Sequence, residues 1–329
     1  MVRALILAPF SHRHVQRLAE RLDVTHESWM ETRRLIDPEE LATRILDDAI
    51  EILVIESDFV FQEVFEEAKS LKLVGVCRGT TSHVDVGSAT EHGVLVVNTP
   101  GRNAQAVAEH ALGLMLALAR RIHTAHRYVA EGSWNNPAEP YISMRGIELA
   151  GRTLGIIGLG AIGSRLARLG CAIGMKIIAY DPYVKSAAKS VRLTDLDEVM
   201  GKSDFVSIHM PPVPKTEGMI DAQLIGRMKA QAFLINTTGT SVVDMSALTE
   251  ALRAHRIGGA AFDVFETHPL APDSPLLALD NVVLTPHIGG ATDETIERHS
   301  EAMADDVLRF VDGKRPRNLV NPEAWERRG

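Results

Sequence analysis

Short runs of β-branched and aliphatic residues alternate with helix-length amphipathic stretches along almost the whole chain. Val2–Ala8 reads as a buried strand, and Val15–Leu22, apolar at helical spacing, as the helix that follows. Glu51–Ile55, Leu71–Val76 and Val94–Val97 predict three more strands. Such strand–helix–strand repetition predicts a parallel sheet covered by helices on both faces. One long helix is expected from near Asn103 toward Ala130. Its Val107–Ala119 stretch is apolar nearly all round and should be buried on more than one side. A loop rich in Gly, Asn and Pro, Gly132–Pro140, then precedes a second strand series that opens at Leu149–Gly158. Further strands are expected at Lys176–Tyr180, Phe205–His209, Ala232–Asn236, Gly258–Phe262 and Val282–Thr285. A final helix over Asp293–Val311 leads into a tail punctuated by prolines.

At roughly 150 residues per domain, 329 residues predict about two domains, with a boundary near residue 100. A hydrophobic content of 45% excludes a disordered chain, and 25 Gly with 15 Pro exclude a collagen-like one. The longest apolar run, Ala111–Ala119, is half of a membrane span, and the N-terminus turns polar at Ser11, too early for a secretory leader. Two cysteines make neither a disulfide framework nor a CxxC metal site. A net charge of -8 without a basic run argues against nucleic acid. His12 with His14, and His123 with His126, read as surface histidines, since no third ligand follows at metal-binding spacing. The expectation is a cytoplasmic, two-domain protein that handles small molecules, with no metal, membrane or nucleic-acid partner.

The sharpest local signal is Thr153-Leu-Gly-Ile-Ile-Gly158-Leu-Gly160-Ala161-Ile162-Gly163. A GxGxxG is weak evidence alone, but here it follows an apolar strand and opens a helix, the context in which it binds a dinucleotide. Gly158 permits the tight turn, Gly160 the close approach of pyrophosphate, and Gly163 the packing of helix on strand. The helix N-terminus, at Ala161 and Ile162, offers N–H groups and a positive dipole end to phosphate. Asp181 ends the next strand, eighteen residues after Gly163. A carboxylate there suits the ribose hydroxyls and repels a 2′-phosphate, which points to NAD rather than NADP.

These motifs belong to a longer co-linear set. It comprises Asn98-Thr-Pro-Gly101-Arg102 through Glu109, Gly132-Ser-Trp134, Gly151–Gly163, His209-Met-Pro211 with Thr216, and Ile235-Asn-Thr237. Val243-Asp244, Asp263-Val-Phe265 and Thr285-Pro-His287-Ile-Gly289-Gly290 continue it. In this the chain resembles the D-isomer-specific 2-hydroxyacid dehydrogenases, from about residue 40 to residue 322. The resemblance implies an α/β architecture of two doubly wound parallel-sheet domains. A Rossmann NAD domain (101–294) would be inserted into a flavodoxin-like substrate domain (1–100 and 295–329), with the active site in the cleft. It carries cofactor contacts onto Asp181, His209, Pro211, Thr216, Thr237, Asp263, His287 and Gly289, beside the glycine loop. It also implies a homodimer through the apolar helix after Asn103.

Hydride transfer at a 2-hydroxy acid needs a base for the hydroxyl proton, a grip on the carboxylate and a positive neighbour for the developing alkoxide. The resemblance assigns the base to His287. It also places Gly239 where the family carries an arginine, and His268 where it carries a glutamate. His268 in neutral form can hydrogen-bond His287 and set its tautomer, whereas Glu266, two residues away, is a poor substitute. In the family the loop at Arg78-Gly79-Thr80 turns backbone N–H groups to the substrate carboxylate. Arg78, Thr80 and Thr240 are candidate replacement groups, and Arg102 is a second candidate cation; a surface position is the commoner reading of either arginine, since arginine is mostly exposed. His83 reads either as a substrate-facing or as a solvated loop histidine. The leading expectation is an NAD-dependent oxidoreductase acting on a small hydroxy or keto acid, phosphorylated or sugar-derived acids included. The altered positions also admit an enzyme that uses NAD as a redox relay in an isomerisation, or a non-catalytic NAD-binding module.

Overall fold

The computed structural model describes residues 1–327 and divides the chain into two compact units, 1–102 with 292 onward, and 103–291. The divisions fall at 102/103 and 291/292 rather than 100/101 and 294/295, so Arg102 and the start of the last long helix belong to the first unit.

The first unit contains β1 (Arg3–Ile6), α1 (His12–Ala19), β2 (Asp23–His26), α2 (Trp29–Thr32), α3 (Pro38–Asp47), β3 (Ile52–Ile55), α4 (Gln62–Glu67), β4 (Leu73–Val76), α5 (Val86–Glu91) and β5 (Leu95–Asn98). The strands form one parallel sheet in the order β2-β1-β3-β4-β5. Successive strand residues point to opposite faces. Leu5, Leu53 and Val74 therefore pack with Leu41, Ile45 and Phe65 on one side, while Ala4, Ile6, Ile52 and Leu73 pack with Leu18, Met303 and Val307 on the other.

The second unit runs through α6 (Ala104–Ala119), α7 (Ile122–Ala130), α8 (Ala138–Ser143), β6 (Thr153–Ile157), α9 (Ala161–Ala172), β7 (Lys176–Tyr180), β8 (Val191–Leu193), α10 (Leu196–Lys202), β9 (Phe205–Ile208), α11 (Ala222–Gly226), β10 (Phe233–Asn236), α12 (Met245–Arg253), β11 (Gly259–Phe262) and β12 (Val282–Leu284). All seven strands are parallel, in the order β12-β11-β10-β9-β6-β7-β8. The chain then returns to the first unit with α13 (Asp293–Val311) and α14 (Pro322–Glu326). There Met303 of α13 lies so close over Gly75 of β4 that a Cβ would sit 2.4 Å from its sulfur.

Two expectations need correction. The single helix toward Ala130 is two helices, because Arg121 adopts a left-handed φ of 52° and ends the α6 ladder. The loop Gly132–Pro140 runs into a helix, α8, that begins at Ala138. The apolar helix is buried along Ala104, Val107, Ala108, Ala111, Leu114, Met115 and Leu118 but leaves Leu116 exposed.

Candidate functional site

β6 lies between β7 and β9, so the order of connections reverses at its carboxyl end, the place where open α/β sheets bind ligands. The glycine turn sits there. Gly158 has φ +92°, and a Cβ on it would press within 2.8 Å of the His209 and Met210 backbone. A Cβ on Gly163 would lie 2.1 Å from the Gly158 carbonyl oxygen. Gly160 is different: nothing lies within 4 Å of its Cβ position, so no protein atom demands a glycine there. Gly160 also caps α9 without a side-chain acceptor, and the first-turn N–H groups at Ala161, Ile162 and Gly163 have no intrahelical partner.

Asp181 closes this turn. Its Oδ2 accepts the Leu159 N–H at 2.8 Å and its Oδ1 the Tyr183 N–H at 2.9 Å, and each oxygen keeps a lone pair for a ribose hydroxyl. His209 turns its ring inward, with Nε2 2.8 Å from Ser207 Oγ, and burial lowers its pKa to about 4. Thr216 staples its own loop, donating to the Pro211 carbonyl at 2.6 Å and accepting the Val213 N–H at 3.0 Å. Thr237 is buried, and its hydroxyl has no hydrogen-bond partner among the described residues. An open Gly160, an orphaned Thr237 hydroxyl and a ribose-spaced carboxylate fit a dinucleotide.

The loop after β12 carries His287, held in a left-handed conformation at φ 58°. Its Nδ1 lies 3.0 Å from Nε2 of His268, with ring centroids 4.9 Å apart. The backbone around it is braced by Asp263, which accepts the Thr285 hydroxyl at 2.6 Å and the N–H groups of Ile288 and Gly289 at 2.9 and 2.8 Å. Burial opposes ionisation of Asp263, but these donors and His110 outweigh it and hold the carboxyl below its usual range. His110, on α6, reaches Thr285 Oγ1 at 3.0 Å. Because the Thr285 hydroxyl proton is donated to Asp263, His110 must be the donor. A Cβ on Gly289 would meet Asp263 Oδ2 at 2.8 Å and His110 Cδ2 at 3.4 Å, so glycine is required for that brace.

The turn after β10 is organised by Asn236, fully buried, whose Oδ1 accepts the Thr238 N–H and whose Nδ2 donates to the Gly239 carbonyl at 2.8 Å. Thr240 follows, buried, at the start of a 3-10 turn. It borders a cavity of about 580 Å³ with Thr249, Phe265 and Glu266. Sequence reasoning missed the positioning of Asn236 and His110. The only trace of His110 was one of three polar residues, with Gln105 and Glu109, at the start of a mostly apolar helix.

In the first unit, Arg78 is half-buried, and its guanidinium donates to Ser57 Oγ at 3.4 Å. Gly79 and Thr80 beside it are exposed, and Asn98 donates to the Gly79 carbonyl at 2.8 Å. Arg102, expected above as a second candidate cation, is not free: its guanidinium pairs with Glu56, and both side chains are nearly buried. A second Arg102 nitrogen donates to His299 Nδ1 at 2.7 Å, and His299 Nε2 donates to the Pro9 carbonyl at 2.7 Å. His83 is not a solvated loop residue; it is 6% exposed. His14, read as a surface histidine, is buried with Nε2 3.0 Å from Glu297. Among the described residues no cluster of side chains is arranged to hold a metal ion, and no helix is long and apolar enough to cross a membrane.

Residues 112–289 match the family model described as D-isomer specific 2-hydroxyacid dehydrogenase, NAD binding domain. The chain belongs to that family. It is 40% identical over 307 residues to a glyoxylate reductase of Thermofilum pendens, covering 91% of this chain and 88% of that one. A D-3-phosphoglycerate dehydrogenase of Archaeoglobus fulgidus is 40% identical over 275 residues, 82% of this chain but 51% of the relative, so the chain spans about half of that protein. The TT0316 protein of Thermus thermophilus superposes with a TM-score of 0.86 at 34% identity, over 97% of this chain and 100% of its own. Membership makes this chain an NAD-dependent dehydrogenase acting on a CH–OH group, with its NAD-binding domain in the second unit.

Proposed function

We propose that this 2-hydroxyacid dehydrogenase interconverts a small 2-keto acid and its D-hydroxy acid, with His287 exchanging the proton of the reacting oxygen and His268 holding His287 in place. The observation that carries this reading is the 3.0 Å contact between His287 Nδ1 and His268 Nε2, on a loop whose backbone Asp263 locks. With Nδ1 turned to His268, the proton exchange with substrate falls to Nε2. The bound nicotinamide supplies or accepts the hydride. The glycine loop with Asp181, His209, Pro211, Thr216, Thr237 and Gly289 would hold it, with NAD preferred over NADP because Asp181 repels a 2′-phosphate. Arg78, Gly79 and Thr80 are the first unit's candidates for the substrate anion, and Thr240 is the second unit's.

Loss of NADH absorbance over a panel of glyoxylate, hydroxypyruvate, pyruvate and 3-phosphohydroxypyruvate tests the reading. At least one should turn over, and His287→Ala should lower kcat by about 10²–10⁴ while NADH still binds. No turnover on any acid, with NADH binding intact, sinks it in favour of a non-catalytic NAD-binding module. The same proposal places the enzyme in the cytoplasm as a homodimer. Support for the dimer comes from exposed apolar side chains on and near α6–α8, among them Leu116, Ile122, Val129, Tyr141 and Ile142.

A further inference from the structure

Of the three polar side chains in the first turns of α6, two answer each other. Gln105 Nε2 donates to Glu109 Oε1 at 2.7 Å on the exposed side of the helix. His110 turns the other way. Its Nε2 lies 3.0 Å from Thr285 Oγ1 and 3.4 Å from Asp263 Oδ1, and a Cβ on Gly289 would meet its Cδ2 at 3.4 Å. The buried positions of α6 are all Ala, Val, Leu or Met, so the packing of the helix does not itself call for a histidine.

The contact falls on the segment that holds His287. On the N-terminal side, the His287 N–H donates to the Thr285 carbonyl at 3.0 Å, and the Thr285 hydroxyl donates to Asp263 Oδ1 at 2.6 Å. On the C-terminal side, the Ile288 and Gly289 N–H groups donate to Oδ1 and Oδ2 of the same carboxylate at 2.9 and 2.8 Å. Between them His287 keeps its φ of 58°, a conformation that a residue with a Cβ holds only when its surroundings impose it. One buried carboxylate thus clamps both flanks of His287.

The clamp depends on which way the Thr285 hydroxyl points. That hydroxyl has a single proton and can also accept, and the Phe262 carbonyl, 3.5 Å away, is a second acceptor for it. A bare Nε2 on His110 would be a third, competing with Asp263 for the same proton. With a proton on Nε2 the histidine can only donate. The Thr285 oxygen is then engaged as an acceptor, and its own proton is left to Asp263. Hydrogen bonds chained in this way reinforce one another in a low-dielectric site.

We propose that His110 is a positioning residue for the proton exchange at His287: its Nε2–H sets the direction of the Thr285 hydroxyl and so keeps Asp263 closed on both flanks of the His287 loop. The reaction it serves is the one proposed above, whereas the clamp is a property of the folded chain alone.

The test uses the whole chain, isotope-labelled in histidine for NMR, with the His110 ring signals assigned by their loss in His110→Gln. At neutral pH the wild type should carry a proton on His110 Nε2. Amide hydrogen exchange at Ile288 and Gly289 should be about tenfold or more faster in His110→Leu, and within about threefold of wild type in His110→Gln, which returns an N–H at the same reach. On an acid that turns over, at saturating NADH, His110→Leu should lower kcat about tenfold or more and change KM less than about threefold, with kcat recovered to within about threefold in His110→Gln. Thr285→Val cuts the same chain at its next link and should reproduce both effects; in that background His110→Leu should add less than about threefold. A bare Nε2 in the wild type, wild-type exchange at Ile288 and Gly289 in Thr285→Val, or a His110→Gln as slow as His110→Leu overturns the proposal. Faster exchange in His110→Leu with no acid turned over upholds the clamp and removes the keto-acid reading instead.

Discussion

Gly239 has a φ of 178°, extended backbone that any residue adopts, and a Cβ on it would meet the Pro212 ring at 3.4–3.5 Å, ordinary contact. Nothing local requires a glycine at the position where the family carries an arginine. Gly239→Arg should therefore fold with a melting temperature within about 2 °C of wild type. By returning a cation to a turn held rigid by Asn236, it should raise kcat/KM on 2-keto acids by about tenfold or more, since one transition-state donor is worth on the order of 10²–10³. An unchanged or lower kcat/KM in the folded variant would mean that this site works without a cation there. Single residues of this kind were only half legible. The identities of Gly239 and His268 could be read from the chain, but the 3.0 Å between His268 and His287 depends on two loops folding toward each other from different strands.

The β6–turn–α9 element separates two uses of glycine. Gly163 and Gly158 are demanded by protein atoms, while Gly160 faces open space. Gly160→Ala is expected to leave the urea midpoint unchanged and to weaken NADH binding tenfold or more by fluorescence titration, because the new methyl occupies the pyrophosphate approach. Wild-type affinity in that variant would remove the turn from the cofactor site. This element was legible because an apolar strand, a spaced glycine set and a helix opening all occur within one short stretch of sequence. The edge strands were not. β2 reads Asp-Val-Thr-His and β8 reads Val-Arg-Leu, and half-exposed edges need no continuous apolar run. Nor does the α6 sequence reveal the break at Arg121, which depends on one left-handed residue.

Across the whole molecule, three buried histidines, His83, His209 and His299, have pKa values lowered from 6.5 to about 4. The unfolded chain binds protons at these positions below pH 6.5 and the folded chain does not until about pH 4. Stability is thus full above pH 6.5 and falls as pH drops toward 4, by on the order of 2–3 kcal/mol per ring at the low end. The depressed carboxyl of Asp263 acts in the same direction, but only below the ordinary carboxylate range. Urea midpoints measured from about pH 7.5 to 5 isolate the histidines, and a flat profile would contradict their burial as neutral groups. By itself the sequence determined the strand and helix periodicities and the dinucleotide turn, because these rest on contacts between near neighbours and on the twofold repeat of strands. Only the tertiary structure decided that Arg102 is spent on Glu56, that the His83 ring is buried with no hydrogen-bond partner among the described residues, and that His110 reaches the loop of His287. Each of those depends on which distant segments share a site, and pairings between distant segments leave no local pattern in the chain.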